Sequence, residues 1–455
     1  MADTQKESTI GALKKIITIS FPLVVQGLVF QLQSLTDKAF LGNLDTRFVS
    51  AAGAAQMPFV ALEDSLVAVS IGITIIISNL YGARREKEIP TYIASSCLFH
   101  SFIGIGAFLM WQIGAQPILV FFQVDPQIIG YSIQYVKICS VYLIFIGFDS
   151  VLQSMLQGMG ETKPIMYAGI LKVGLNVILS WILIFGKFGF PQLQVAGAAI
   201  GTLAANVCSF SFIACYCLVI NGKKYALCTD MKKWVAIRPY VQAIKLGMPV
   251  GLEYLLWNAS NLLLIRFING FSYLHMAIFT LTFGFQCVVS MIYQGTSKAA
   301  LTMIGQNVGA GNRRNANRFF YVTVALNFAV VAAAAAGFFL IPGSLLRIFS
   351  NDPAVITQGI PYLQWIGIIM FSQSVNIICG SAIRANGNTK WMLCSQLFGS
   401  ILITGFAWLC VERFHFGMLS IYVTIFLDET IRGAVNFVYY RKKYGGTARS
   451  AATCA

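Results

Sequence analysis

Twelve apolar runs of about 20 residues or more, separated by charged or Gly/Pro-rich breaks, govern what this chain can become. Runs of that length exceed what a single buried core uses, and lipid admits a backbone only where it satisfies its own hydrogen bonds. Each run therefore reads as a membrane-spanning helix. The first six are expected over 16–36, 48–80, 91–113, 128–157, 164–186 and 195–220. The second six are expected over 243–267, 273–304, 317–341, 355–383, 390–411 and 417–439. The second, fourth, eighth and tenth are long enough to tilt or to project beyond the lipid. Composition agrees, because 11% of residues are charged against about 25% in soluble domains. The opening MADTQKESTIGALKKI is polar for too long to be a signal-peptide n-region, and no small-residue cleavage site follows the first run. That run is expected to remain as a helix.

The net charge of +15 is compatible with nucleic-acid binding until the charges are placed. With the N-terminus in the cytoplasm, only six of the 32 Lys and Arg fall in outer loops, namely Lys38, Arg47, Lys187, Arg266, Arg347 and Arg413. Four more, Lys137, Lys172, Lys298 and Arg432, lie within spans, which leaves 22 on the cytoplasmic side. This bias sets the orientation, puts both termini in the cytoplasm and accounts for the basic charge without nucleic acid. The 11 cysteines form no CxxC pair and have no His at metal-ligand spacing, so neither a disulfide framework nor a zinc site is suggested.

A shift of 227 residues superimposes the two halves. Pro22 falls on Pro249, Gly82-Ala83 on Gly309-Ala310, Asp125-Pro126 on Asp352-Pro353, Tyr135 on Tyr362, Gly160 on Gly387 and Thr162-Lys163 on Thr389-Lys390. These identities sit at equivalent breaks and loops, so duplication is the simplest account. An even number of helices separates equivalent points, which gives both halves the same orientation, and transporters place substrate sites between such halves. The expected organisation is a cytoplasmic segment 1–15, an N-terminal lobe 16–220, a cytoplasmic linker 221–242, a C-terminal lobe 243–440 and a cytoplasmic tail 441–455.

An ionisable side chain at the bilayer centre costs about 2.5 to 3.5 kcal/mol, so each one within a span needs a partner or a purpose. Candidates are Asp37, Glu63, Asp64, Asp149, Glu253, Asp428 and Glu429. Asp149 and Lys172 lie eleven and twelve residues from Gly160 and are expected to meet as a structural ion pair. Arg432 stands three and four residues after Glu429 and Asp428, where pairing along one helix suffices. The adjacent Glu63 and Asp64 point about 100° apart, so at most one faces a central cavity. Asp37 ends an apolar run and follows Gln31, Gln33, Ser34 and Thr36, which together suggest a wet helix face; an interfacial Asp at a helix end is the plainer reading.

The stretches PLVVQGLVFQLQSLTDKAFLG, NLYGARREKE, LQGMGETKPIMYAGILKVGLNVILSWILIFG and VAGAAIGTLAAN occur in the first half. In the second half GMPVGLEYLLWNASNLLLIRFING, IGQNVGAGNRRNANR and IRANGNTKWM stand at corresponding places. In order and spacing these resemble the multidrug and toxic compound extrusion (MATE) family over nearly the whole chain. The resemblance implies an all-α membrane protein of two six-helix lobes that exchanges a cation for organic compounds. It further implies a cation site in the N-terminal lobe, where Asp37, Asn176 and Thr202 match the family's residues. Archaeal-type members carry an acid one turn beyond the Asn, where this chain has Ser180.

Carboxylate, amide and hydroxyl oxygens suit a hard cation such as Na⁺, and the same carboxylate would serve an H⁺ cycle; the sequence leaves both open. Sodium-coupled members also carry an acid in helix seven, about one turn beyond Glu253, where this chain has Trp257. Helix ten offers no carboxylate, so Glu253 is assigned to a cationic substrate rather than to the coupling ion. Gln31, Trp257, Phe283 and Met291 are further candidates for the substrate wall, and Phe30, Met57, Phe59 and Phe285 share the required character, although most aromatic residues in such a chain simply pack. Pro22 lacks the N–H that bonds one turn back and would bend the first helix.

No GxxxxGK[ST] loop and no nucleophile–base pair is evident, so an ATPase or a membrane enzyme is not indicated, and no cofactor is implied beyond the coupling cation. The alternative function is a flippase for a lipid-linked saccharide, a class similar in fold, to which Lys137, Lys172 and Lys298 would lend a cationic cavity. The expected partners are a small organic substrate and membrane lipid, with the chain acting as a monomer in the cell membrane. The halves are not chemically equivalent, because Asp37 falls on Leu264 and Glu253 on Gln26 under the shift. Cation coupling is therefore expected in the first lobe.

Overall fold

A computed structural model describes residues 8–42, 44–225, 231–350 and 352–445. The remainder of the expected N-terminal segment, residues 226–230 of the linker and the tail from 446 lie outside the described residues. Among the described residues twelve long helices dominate the chain. They are α1 Thr9–Gly42, α2 Arg47–Gly82, α3 Glu86–Phe121, α4 Ile129–Met159, α5 Lys163–Phe185 and α6 Gln194–Ile220, followed by α7 Ile237–Asn269, α8 Tyr273–Gly309, α9 Arg313–Leu340, α10 Pro353–Ala385, α11 Thr389–Arg413 and α12 Leu419–Tyr444. No strand occurs among the described residues.

Ten of these helices contain windows long and apolar enough to cross a membrane. The exceptions, α7 and α12, are 33 and 26 residues long and fall short in apolarity, not in length. Arg238, Lys245, Glu253 and Arg266 interrupt α7, while Asp428, Glu429, Arg432 and the terminal Arg441, Lys442 and Lys443 interrupt α12. The buried charges among these find partners, Glu253 in Arg384 of α10 and Arg432 within α12, as described below. α1 runs unbroken past Pro22 and α7 past Pro249, so neither proline ends its helix.

The 227-residue repeat reappears in backbone detail. The Asp125 carboxylate accepts from the Gln127 N–H at 2.8 Å before α4, and Asp352 accepts from the Ala354 N–H at 2.8 Å before α10. Asp352 thereby caps α10, whereas Asp125 closes the equivalent Asx turn just ahead of α4 without reaching a helical donor. At the far ends, Gly160 and Gly387 adopt φ of 86° and 79°. Each donates its N–H back into the preceding helix, to Gln157 O and Arg384 O, a left-handed cap that glycine adopts without a Cβ penalty.

Contacts divide the chain into two compact units, one spanning Val25–Gly251 and the other joining the described residues up to Val24 with those from Leu252 onward. The divisions fall inside α1 and α7. The first unit has a core around Phe59, Trp111, Tyr135, Tyr142, Leu143 and Ile184. The second packs around Tyr293, Phe338, Leu363, Met370 and Tyr422.

Candidate functional site

Three helices bring the N-terminal candidates together. Asn176 and Ser180 lie one turn apart on α5, both with no exposed surface. α6 packs closely against them, because a Cβ on Gly201 would lie 2.6 Å from Ser180 Oγ and 2.9 Å from Ser180 N. Glycine at 201 thus brings the α6 backbone up to the serine and places Thr202 beside Asn176, whose Nδ2 donates to Thr202 Oγ1 at 3.0 Å. That bond orients the amide and leaves Oδ1 and the second Nδ2 hydrogen for other partners. Asp37, near the end of α1, lies within interaction range of both Ser180 and Asn176.

Three oxygens in this cluster, Asp37 Oδ1, Asn176 Oδ1 and Ser180 Oγ, are buried with no hydrogen bond of good geometry, although the Ser180 hydroxyl and the Asn176 amide lie near enough to Asp37 to interact with it. A buried acceptor without a donor costs about 1 to 3 kcal/mol, and here the two neighbouring acceptors belong to a carboxylate and an amide. A cation, or a proton on the carboxylate, relieves that cost; a neutral apolar occupant would not. The adjoining cavity, lined by Asp37, Gly53, Gln56, Tyr135 and Ala198 among others, offers about 20 Å³ of water-sized room. That is the scale of one water or a bare ion, well below the several hundred Å³ that an organic ligand needs.

Gln56 and Tyr135 were not among the sequence candidates. Tyr135 carried a signal, since it falls on Tyr362 under the repeat shift. Of the polar face expected on α1, Gln33 is 5% exposed with its Oε1 unpartnered, while Thr36 donates to Leu32 O. The Ser34 side chain lies outside the described residues.

The expected Asp149–Lys172 ion pair is not formed. Asp149 Oδ2 instead accepts from Tyr142 OH at 2.5 Å and Gln153 Nε2 at 2.9 Å. Lys172 sits 5.0 Å above the Phe30 ring and acts on Asp149 and Glu63 only through space. Equal distance from the Gly160 turn brings the two residues to one level along their helices without turning their side chains together.

In the second unit Glu253 has a resident cation. Arg384, at the end of α10, reaches its Oε1 with Nη2 at 2.5 Å, and the two side chains are 10% and 13% exposed. This partner was missed because Arg384 reads from sequence as a cytoplasmic loop cation. It weakens the assignment of Glu253 to a cationic substrate, since the charge is already answered. Arg432 behaves as its spacing suggests: Nε and Nη2 grip the Asp428 carboxylate at 2.8 and 2.5 Å, Nη2 lies 3.5 Å from Glu429, and Nη1 donates to Gln396 Oε1 at 2.8 Å. Glu429 also accepts from Asn376 at 2.9 Å, so each charged side chain here has a hydrogen-bond or ion-pair partner, as structural glue would.

The aromatic candidates separate. Phe59 is a core residue, 6% exposed and 6.0 Å from the Trp111 ring, and packs as most aromatic residues in such a chain are expected to. Phe283 stacks on Phe279 at 5.4 Å, and Phe285 meets Phe338 and Phe349 edge-on. Trp257, Met57 and Phe30 are 43, 57 and 52% exposed, whereas Gln31 and Met291 are half-buried.

Repeated helical lobes with a confined oxygen-lined site and charges held inside spans define a membrane transporter architecture. The MatE family model matches residues 22–182 and 249–409, two segments whose ends are themselves 227 apart. The chain belongs to this family. It is 24% identical over 443 residues to a probable multidrug resistance protein NorM of Thermotoga maritima, covering 96% of this chain and 93% of that protein. It is 23% identical over 393 residues to the multidrug resistance protein PmpM of Pseudomonas aeruginosa, covering 85% and 81%. In fold it is similar to a crystal structure of MATE in complex with MaD3S, with a TM-score of 0.87 at 20% identity, over 95% of this chain and 96% of that one.

Proposed function

We propose that the protein is a secondary active efflux transporter that exchanges Na⁺ or H⁺ for small, cationic, amphipathic organic compounds by alternating access. The observation that carries this reading is the trio of buried oxygens on Asp37, Asn176 and Ser180 that lack a hydrogen bond of good geometry. In the cycle we infer, a cation from outside binds at Asp37, is held by the Asn176 and Ser180 oxygens, and is released to the cytoplasm as an organic cation leaves. Thr202 orients the amide. Loss of the acid that archaeal-type members carry at the Ser180 position leaves a single carboxylate, so one positive charge neutralises the site. The relatives' multidrug names support the substrate class.

The asymmetry between halves supports coupling in the first lobe, because Glu253 already has Arg384. We assign the lobes to 16–220 and 243–440, the termini to the cytoplasm on the distribution of Lys and Arg, and the protein to the cell membrane as a monomer. The flippase alternative is not favoured, because the relatives named are drug-resistance transporters and Lys172 is engaged with Phe30.

The test is transport of a fluorescent organic cation such as ethidium in proteoliposomes under imposed Na⁺ or H⁺ gradients, comparing the unaltered chain with Asp37→Asn and Glu253→Gln. Asp37→Asn should abolish gradient-driven flux and Glu253→Gln should retain it. Gradient-independent flux in the unaltered chain would sink the exchange reading, and normal transport by a folded Asp37→Asn would remove its coupling site.

A further inference from the structure

Inward of Asp37 the first unit holds a second set of buried ionisable groups. α2 and α4 run side by side in one direction and nearly constant register, since Ser132 Oγ donates to Ala51 O at 2.9 Å and Ser70 Oγ to Ser150 Oγ at 2.8 Å, 81 and 80 residues apart. On that register Glu63 of α2 stands level with Leu143. It shares the face of Ser70, seven residues or two turns on, which is the face turned to α4. Tyr135, Tyr142 and Asp149 follow one another at the same seven-residue spacing down α4, about 10 Å per step, interrupted by a 3₁₀ turn at Ser140–Tyr142. Tyr135 lines the Asp37 cavity at the upper end, and Tyr142, level with Glu63, bonds Asp149 at the lower.

We propose that Glu63 is a second proton-binding carboxylate of this unit, an inner station that takes up the coupling proton after Asp37 releases it. This rests on the reading of Asp37 as the coupling acid. Charge supports it. Glu63 and Asp149 lie within electrostatic range of one cation, Lys172, which is held over Phe30 at 5.0 Å, so one proton neutralises that trio. Asp149 has two donors, from Tyr142 and Gln153, that stabilise its ionised form. Glu63 is half-buried, and no bond of that kind is found for it among the described residues.

The other groups facing Glu63 do not supply a second cation. Asp64, its neighbour, points about 100° away. Tyr135 and Cys139 of α4 lie within electrostatic range of both Glu63 and Asp37 and so bridge the two stations. His100 of α3 is tied to Leu66 O at 3.2 Å and Tyr240 OH at 3.3 Å. Step by step, the O–H bond of protonated Asp37 breaks as a water oxygen takes the proton, an O–H bond of that protonated water breaks as one forms on the Glu63 carboxylate, and Lys172 stays an ammonium throughout.

Infrared difference spectroscopy of the full chain in lipid, between alkaline and acidic samples, reads protonated carboxyls by a C=O stretch that shifts in heavy water. The unaltered chain should show two titrating carboxyl bands, of which Asp37→Asn removes one and Glu63→Gln the other. Glu63→Asp should restore the second, and Lys172→Met should retain a band into alkaline samples, because two acids then share no counter-charge. Both bands surviving in a Glu63→Gln protein that elutes as a folded species would overturn the proposal. A spectrum altered by Glu63→Gln but untouched by Asp37→Asn would overturn the Asp37 reading instead and leave Glu63 as a proton site.

Discussion

Separating Glu253 from Arg384 should cost more than removing both. Breaking a buried ion pair from one side costs about 3 to 5 kcal/mol because the survivor is stranded, whereas replacing both members is often close to neutral. The two side chains retain about a tenth of their surface, so the lower end, about 3 kcal/mol, applies to Arg384→Met. That variant leaves the Glu253 carboxylate without a partner on either oxygen, since Oε2 already lacks one. Glu253→Gln keeps an acceptor for the guanidinium and should cost about 1 to 2 kcal/mol. The double variant should cost less than Arg384→Met alone, giving a coupling energy of more than about 1 to 2 kcal/mol. Unfolding in mixed micelles measures this through labelling of the buried thiols Cys97, Cys139, Cys217, Cys379 and Cys410, which are free and become reactive as the helices separate. Additivity of the two single variants within about 0.5 kcal/mol would refute the claim that the pair acts as a unit.

Arg432→Lys keeps the charge but loses the planar fork that holds Asp428 and Gln396, and should lower stability by about 2 kcal/mol in the same unfolding measurement. Gly247→Ala places a Cβ 1.9 Å from Val69 O, so α7 must move away from α2; a loss of about 3 kcal/mol and poor recovery of monodisperse protein are expected, against near-normal behaviour for Gly337→Ala, where a Cβ meets nothing within 4 Å. Gly201→Ala presses on Ser180 without removing an oxygen from the cation site, and should weaken cation affinity about tenfold in a transport titration while leaving maximal flux near normal. Asn176→Ala removes both an acceptor and the Thr202 bond, and should weaken cation affinity more than Thr202→Val does.

Much of the architecture was legible because lipid leaves the chain few choices. The apolar runs and their breaks place all twelve helices, and the repeat anticipates the paired Asx turns at Asp125 and Asp352 and the glycine turns at 160 and 387. Helix ends extend further than the apolar runs do: α1 continues to Gly42 and α12 to Tyr444, because polar residues at the interface sustain a helix that lipid does not require. Charge pairing within one helix was readable at Arg432, where three- and four-residue spacing decides it. Pairing between helices was not. Glu253 meets Arg384 across 131 residues, and Asp149 prefers Tyr142 on its own helix over the Lys172 that spacing proposed. Spacing from a turn gives height along the membrane but not azimuth, and azimuth decides which side chains touch. Asp37, Asn176 and Thr202 came from family resemblance, whereas Tyr135 and Gln56 needed the fold to bring their helices to the Asp37 cavity.

Antiport requires that either gradient drive the other species. The most direct test loads proteoliposomes with an organic cation such as ethidium, imposes no ion gradient, and records Na⁺ or H⁺ movement as the dye leaves. The unaltered chain should move the cation in the opposite direction to the dye, and Asp37→Asn should abolish that movement. Dye efflux with no opposing cation flux, or an opposing flux undiminished in a folded Asp37→Asn protein, would contradict coupling at Asp37.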